Sequence, residues 1–384
     1  MASPPSSVAH EVVRRLIKHL DNDSGTDQAT GTMTVPASTY SDPARWEQDR
    51  NLLRVTPTVV ALSTELPEPG SFKATDLGGL PVIVVRGADG DLRVLVNRCS
   101  HRGAQLVEGR GRKRRFTCPF HGWSFEPTGR LGNVTSEENF CDLDRDQFGL
   151  ATLPVREEHG LIWAAGSPEV DLAGADLLAG MEEDVRQLDL GRWHFQYAEP
   201  LPAAMNWRMH LEGVFETYHL PYLHAKTAAK IFYSDVMVFD AFGPHFRMAW
   251  PRRTIDELRG VPEPEWTDPV RHVNLLYYVF PNTVLLYNAG MWQARPGTAP
   301  GDSTMLFNFF TIGDDPSMSE AQRQRFQFAL DITREEDNPA AEGSCRNFAA
   351  GPERPIVFGR NEICLQHLYR QLDHAPPAAT TSPA

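Results

Sequence analysis

A chain of 384 residues is long enough for two domains, each with its own core. Apolar residues at 41% and charged residues at 23% are ordinary for a globular protein, and a formal net charge of −13 argues against a nucleic-acid binder. Five cysteines are few and odd in number, and no apolar run reaches the length of a signal-peptide core or a membrane span, so a cytoplasmic chain with reduced thiols and no membrane contact is expected.

In chain order, residues 1–8 are small, rich in Pro and Ser, and expected to be disordered. Val12, Val13, Leu16, Ile17 and Leu20 then recur at helical spacing opposite Arg14, Arg15 and Lys18, which predicts a short amphipathic helix, with residues 22–32 as a polar linker. From about residue 55 to 165 short apolar runs alternate with Gly and Asp. Residues 80–86, 91–97, 115–118, 123–126 and 160–164 read as strands of an antiparallel β-domain. A basic run at 110–115 reads as a solvated loop, with docking of an acidic electron donor as its functional alternative. Beyond residue 166 helical patterns appear at 177–188 and 320–336, the second opened by Ser319 with Gln322 three residues on, a capping-box spacing. Aromatic-rich strands at 273–280, 284–289 and 304–311 lie between them. The fold class is therefore α+β, an antiparallel sheet covered by helices following an antiparallel β-domain. The expected division is 1–45 for the helix and linker, 46–165 for the β-domain and 166–384 for the sheet–helix domain.

Residues 97–125 carry the strongest chemical signal. Cys99 with His101 and Cys118 with His121 form two soft-ligand pairs separated by sixteen residues. Thiolate and imidazole together suit zinc or an iron–sulfur cluster. A zinc finger usually draws two cysteines from one turn and two histidines from another, whereas here each turn offers one of each. That arrangement can place both thiolates on one iron and both imidazoles on the other, which raises the reduction potential above that of an all-cysteine cluster. The motif, with His-Arg-Gly in the first pair and Pro-Phe-His-Gly-Trp in the second, resembles the Rieske [2Fe–2S] domain of ring-hydroxylating non-haem iron oxygenases. Cys141, Cys345 and Cys364 then remain as free thiols.

Residues 206–224 form a second constellation, with His210, His219, His224, Glu212 and Glu216. On a regular helix His219 and His224 would diverge, and Pro221 is expected to break the helix at Leu220 so that the two imidazoles converge. The resemblance implies a mononuclear Fe(II) held by His219, His224 and a late aspartate. The run from Glu336 to Arg346 resembles the family segment that supplies it, which puts that ligand at Asp337 rather than at the rival Glu362 or Asn361. His210 reads as a packed or solvated neighbour. Two residues depart from the pattern: Glu216 stands where an aspartate is usual, as in some relatives acting on quaternary ammonium compounds, and Glu212 where a neutral amide is common.

The resemblance implies a helix-grip type catalytic domain and an oxygenase that hydroxylates, dihydroxylates or demethylates a small aromatic or quaternary ammonium compound. Two histidines and one carboxylate leave coordination positions open on iron. No Gly-rich dinucleotide fingerprint is present, so the electrons are expected from a separate NAD(P)H-dependent reductase, directly or through a ferredoxin. The implied assembly is a homotrimer, with or without a β-subunit, in which Glu216 links His219 to His121 of the partner subunit. The alternative is a Rieske electron-transfer protein whose second domain only binds a partner or ligand.

Overall fold

The computed structural model describes residues 7–22, 25–288 and 290–374. The chain forms two compact units, one built from Arg50–Leu177 and Leu190–His194, the other from the segment ending at Asp49 together with Leu178–Asp189 and the chain from Phe195 onward.

The first unit is the β-domain that the short apolar runs predict. A five-stranded sheet runs in the order Thr152–Leu153, Leu92–Val96, Leu80–Arg86, Ser71–Leu77, Arg110–Arg112, and a three-stranded sheet joins Val155–Glu158, Leu161–Ala164 and Thr58–Leu62. A third small sheet of Phe116–Thr117, Ser124–Phe125 and Leu131–Asn133 carries the second ligand loop. Alternate side chains of these strands fill a core with Phe72, Ile83, Val85, Leu95, Phe116 and Phe125, and Cys99, Cys118 and Trp123 belong to that same core. The basic run is exposed from residue 111 to 115 and is loop over 113–115 as expected, and only its first part departs from that reading. Arg110–Arg112 is an edge strand paired with Ser71–Leu77, and Arg110 Nη1 lies 2.6 Å from Oε2 of the buried Glu65, which also meets Lys73 Nζ at 3.0 Å. A buried carboxylate needs cationic partners, and this one recruits an arginine that composition alone places in solvent.

The second unit is organised by a seven-stranded sheet in the order Trp193–Ala203, Ser303–Ile312, Gly290–Pro296, Thr283–Leu286, Val273–Val279, His245–Pro251, Val238–Phe242. The six strands from Val238–Phe242 to Ser303–Ile312 pair antiparallel in sequence order, and the first strand, Trp193–Ala203, lies beside the last. Helix Glu320–Ile332 lies along it and stacks Phe326 on Phe309, centroids 4.6 Å apart. Its Ser319–Gln322 capping box forms as the spacing predicts. The predicted helix at 320–336 ends early, however: Thr333–Asp337 is a π-helical turn that passes directly into helix Asn338–Ala350. Pro339 gives the reason, because in a regular helix its ring would meet the carbonyl of Glu335, and the wider π-turn relieves that contact.

Helix Ser7–Asp21 begins within the stretch expected to be disordered, of which residues 1–6 lie outside the described residues, and buries Val8, Val12, Val13 and Leu16 in this unit. The linker is pinned rather than loose, with the Asp27 and Ala29 amides donating to Met237 and Arg360 carbonyls at 2.9 and 2.8 Å; its residues 23 and 24, like Ala289 at the end of a predicted strand, lie outside the described residues. The pattern at 177–188 yields a helix only over Glu182–Gln187, because Leu177 and Leu178 are buried in a turn and their apolar spacing reflects that burial.

Candidate metal centres

The first candidate centre sits on two loops of similar build. In one, the Cys99 amide donates to Ala104 O at 2.8 Å and the Gly103 amide to Cys99 O at 2.9 Å; in the other, the Cys118 amide donates to Trp123 O at 2.7 Å and the Gly122 amide to Cys118 O at 3.1 Å. Gly103 and Gly122 have φ of +78° and +75°, and a Cβ on Gly122 would lie 2.8 Å from Thr135 Oγ1, so both loops need glycine to turn. Buried Asn97 holds the first loop: its Oδ1 accepts from the Leu106 and Val107 amides at 3.0 and 3.2 Å, and its Nδ2 donates to Val107 O at 2.8 Å.

The loops sort the four side chains by type. Cys99 and Cys118 interact with each other in the core, and the His101 and His121 rings stand 4.7 Å apart toward the surface. Trp123 stacks under His101 at 4.7 Å and an interplanar angle of 12°, and Phe120 covers His121 at 4.0 Å. His101 Nδ1 and His121 Nδ1 are both shielded from solvent with no hydrogen-bond partner among the described residues. Two orphaned ring nitrogens side by side call for a ligand that accepts their lone pairs. Among the described residues no three of these four side chains bring donor atoms within 4.8 Å of one another, so the set is wider than the shell of one tetrahedral zinc. Thiolates at one end and imidazoles at the other match the demands of a [2Fe–2S] cluster with two cysteines and two histidines.

The second candidate centre is closed by chain segments more than a hundred residues apart. His219 and His224 flank the short helix Leu220–Leu223, one at each end, with ring centroids 4.9 Å apart. Pro221 lies in the first turn of this helix and does not break it, because a first-turn residue has no helical use for its N–H. The imidazoles converge because the backbone leaves helical geometry at His224, with φ −104° and ψ 26°, while His219 at the other end keeps helical angles of −74° and −19°. Asp337 arrives from the π-turn. One atom each of His219, His224 and Asp337 falls within 4.8 Å of the others, with Asp337 Oδ1 3.0 Å from His224 Nε2 and 3.9 Å from His219 Nε2. Glu362, the rival carboxylate, instead accepts from the Gly359 amide, and Asn361 Nδ2 donates to Asp235 at 3.0 Å.

Each histidine is oriented through its other nitrogen. His219 Nδ1 pairs with Glu216 Oε1, while Glu216 Oε2 accepts from the Tyr218 and His219 amides. His224 Nδ1 pairs with Glu336 Oε2 at 2.7 Å, and Thr227 Oγ1 donates to the same oxygen at 2.9 Å. A carboxylate on Nδ1 keeps the proton there and turns the Nε2 lone pair toward Asp337. Burial works against a charge on His224, yet Asp337 and then Glu336 hold its imidazole above the ordinary range. The site therefore demands a cation, and a metal ion meets that demand as a proton does. The sequence marks no role for Glu336 or Thr227; its only signal is the Glu-Asp pair itself, whose second member the family resemblance makes the ligand.

A cavity of about 340 Å³ opens beside this centre, bordered by His219, Asp337, Glu216, Glu212, His210 and Trp292. The segment below it is fixed by a buried ion pair, Arg208 Nε and Nη2 to Asp49 Oδ2 and Oδ1 at 2.7 and 2.6 Å, with Trp207 Nε1 donating to the same carboxylate at 2.9 Å.

A profile of the Rieske [2Fe-2S] domain matches residues 56–154, and one of the ring-hydroxylating alpha subunit catalytic domain matches residues 190–375. The chain belongs to the Rieske ring-hydroxylating oxygenase family. It is 33% identical to the anthranilate 1,2-dioxygenase large subunit of Burkholderia cepacia over 54% of this chain and 49% of that one. It is 26% identical to the carnitine monooxygenase oxygenase subunit of Escherichia coli strain K12 over 79% and 81% of the two chains. The match spans about half the length of the anthranilate and glycine betaine relatives. Among solved structures, a quaternary ammonium Rieske monooxygenase in complex with L-carnitine superposes with a TM-score of 0.73 at 18% identity, covering 97% of this chain and 99% of that one. Naphthalene 1,2-dioxygenase does so with 0.71 at 17% identity over 88% and 91%, which shows the shared fold. The members of this Rieske oxygenase family are mono- and dioxygenases, and so oxidoreductases.

Within that family the two departures have distinct settings. Glu216 reaches His219 despite its extra methylene and still caps two amides. Glu212 is half-buried, accepts from Tyr369 Oη at 2.5 Å, and has its pKa raised chiefly by burial; it stands next to the Tyr40 and Tyr369 hydroxyls, 2.8 Å apart. His210 is buried as well, Nε2 3.1 Å from Ser303 Oγ, and burial pushes its pKa down to about 3. It is a packed neutral imidazole. Among the described residues no helix is long and apolar enough to cross a membrane, and Cys141, Cys345 and Cys364 form no disulfide.

Proposed function

We propose that this chain is the terminal oxygenase of an electron-transfer system, with a Rieske cluster on Cys99, His101, Cys118 and His121 and a mononuclear Fe(II) on His219, His224 and Asp337. When bound, the cluster supplies single electrons and the Fe(II) supplies O2 activation. The observation that carries this reading is the matched availability of nitrogens: Nδ1 of His101 and His121 is orphaned, while Nε2 of His219 and His224 is turned by Glu216 and Glu336 toward Asp337. The chain's own residues then do three things. The two carboxylates hold a proton on each Nδ1 and fix ring orientation, Asp337 supplies the negative charge, and Met209, Leu223, Met305 and Phe307 on the cavity wall keep water from the reacting end of the substrate.

Electrons reach the cluster from an NAD(P)H-dependent reductase, directly or through a ferredoxin, and the protein assembles as a homotrimer in which Glu216 links His219 to His121 of the partner subunit; a β-subunit is an optional addition. The substrate is a small organic molecule. Relatives named for anthranilate and for carnitine support aromatic and quaternary ammonium compounds as the two classes to try first. A single-turnover experiment tests the proposal. Pre-reduced protein mixed with O2 and a substrate should oxidise its cluster and release hydroxylated product in step. Cluster oxidation with no product from any member of either class would favour an electron-transfer protein instead.

A further inference from the structure

A separate cavity of about 420 Å³ lies between the seven-stranded sheet and helix Glu320–Ile332. Its walls are mostly apolar, with Phe232, Phe309, Phe326, Phe328, Leu286 and Ile332, a lining suited to a flat organic body. Trp292 borders both this cavity and the one that holds His219 and Asp337, and Ile332 adjoins Thr333 of the second, so the two spaces meet along one wall.

Two arginines, together with the neutral Asn274, Asn288 and Gln324, break the apolar lining. Arg252, half-buried, follows the strand His245–Pro251 and places its guanidinium carbon 5.0 Å from the Phe232 ring centroid; Arg325, more exposed, reaches in from the helix with its own 5.6 Å from Phe326. Among the described residues neither guanidinium is engaged by a carboxylate. Burial, and next the charge of Arg325, hold the Arg252 guanidinium below its ordinary range. Asp268 borders the hollow on their far side and does not engage them. The most buried arginines of this chain are paired with acids, as at Arg208 with Asp49 and Arg247 with Asp240, and half-buried Arg15 is paired with Asp240. With 50 acidic against 37 basic residues in the sequence, two uncompensated cations in one apolar cavity are a local excess of positive charge that an anion would relieve.

We infer that this cavity takes a substrate with a carboxylate at one end and a flat apolar body, the carboxylate seated between Arg252 and Arg325 and the body running along Trp292 toward His219, His224 and Asp337. The inference rests on the oxygenase reading for what happens to the substrate, but not for its binding. A guanidinium recognises a carboxylate by paired hydrogen bonds, and two of them in an apolar surround disfavour a cation without a carboxylate. The phenyl-sized walls and the two arginines together point to an arenecarboxylate rather than to a choline-like amine.

Calorimetric titration of the metal-loaded protein with benzoate, benzyl alcohol and benzyltrimethylammonium tests this. Benzoate should bind at least tenfold more tightly than either of the others. Arg252→Gln should weaken benzoate about tenfold or more and Arg325→Gln somewhat less, since that side chain is more exposed, while benzyl alcohol affinity stays the same. Arg252→Lys should recover part of the loss. An unchanged cluster spectrum in each variant separates a binding loss from misfolding. Tighter binding of the ammonium compound, benzoate affinity unmoved by Arg252→Gln, or no benzoate binding would each overturn the inference. Arginine-dependent benzoate binding in a protein that lacks mononuclear iron would instead overturn the oxygenase reading and leave this one standing.

Discussion

The two candidate centres use histidine in opposite senses. In the β-unit Nδ1 of His101 and His121 is left without a partner among the described residues. In the sheet–helix unit Nδ1 of His219 and His224 is taken by Glu216 and Glu336, and Nε2 faces Asp337. The first site is made by two loops that hold their own shape through backbone bonds and Asn97. The second is made by side chains that hold one another. A site of the first kind depends on its loops keeping their turns; a site of the second kind depends on a carboxylate network, and each member of that network is a separate point of failure.

That contrast can be broken most severely at Asp337. Asp337→Ala should remove the mononuclear iron and turnover while the visible spectrum of the cluster persists, because the two sets of ligands share no residue; metal analysis beside an absorption spectrum checks it. Glu362→Ala should leave both metals in place, and loss of the mononuclear iron there would move the ligand assignment.

Next in size is the support beneath the second centre. Arg208→Met removes one half of a buried ion pair and leaves Asp49 with Trp207 Nε1 and the Arg45 guanidinium, 3.5 Å away, which should cost about 3 kcal/mol in urea unfolding. An effect under about 1 kcal/mol would mean that the segment is held by packing alone.

The carboxylates on the histidines come third. Glu336→Gln and Glu216→Gln should each retain the fold and lower iron affinity or turnover by about ten- to a hundredfold. Of the two, only Glu216→Gln should also slow cluster oxidation in a single turnover if Glu216 lies on the route between subunits. Equal cluster oxidation in both variants would remove it from that route.

The smallest expected effect concerns His210, whose folded pKa of about 3 lies well below the ordinary value near 6.5. Above pH 6.5 the imidazole is neutral in both the folded and the unfolded chain, so it adds no pH dependence there. As pH falls below that value the unfolded chain takes up a proton that the folded one refuses, so stability declines toward pH 3 by at most about 1.4 kcal/mol per unit. The urea midpoint should therefore drop less between pH 7.5 and 5.5 in His210→Gln than in the unchanged protein, and equal drops would show that His210 accepts the proton in place.

The cluster loops were legible in the sequence because their four candidate ligands lie within 23 residues and each turn carries its own glycine. His219 and His224 were legible for the same reason, although the role of Pro221 was not: residue preference foretold a break, and the structure uses the proline to start a turn. Asp337 stands more than a hundred residues away on a helix, and only the family resemblance pointed to it, since nothing local distinguishes it from a solvated carboxylate. Glu336 was hidden by its neighbour, and the π-turn that sets both was hidden because helical spacing does not register one extra residue in a turn. Arg110 shows the limit of reading charge from composition, for its partner Glu65 is buried 45 positions earlier. Arg252 and Arg325 gave no signal at all; their meaning lies in the lack, among the described residues, of an acid that engages them, which exists only once the sheet and helix are packed.

The central claim is that this chain holds two different iron sites, and iron stoichiometry with EPR on the reduced, nitric-oxide-treated protein tests it most directly. About three irons per chain, with a Rieske signal from the reduced cluster and a separate high-spin iron–nitrosyl signal that disappears in Asp337→Ala, is the predicted result. A fully loaded protein with about two irons and no nitrosyl signal would contradict it.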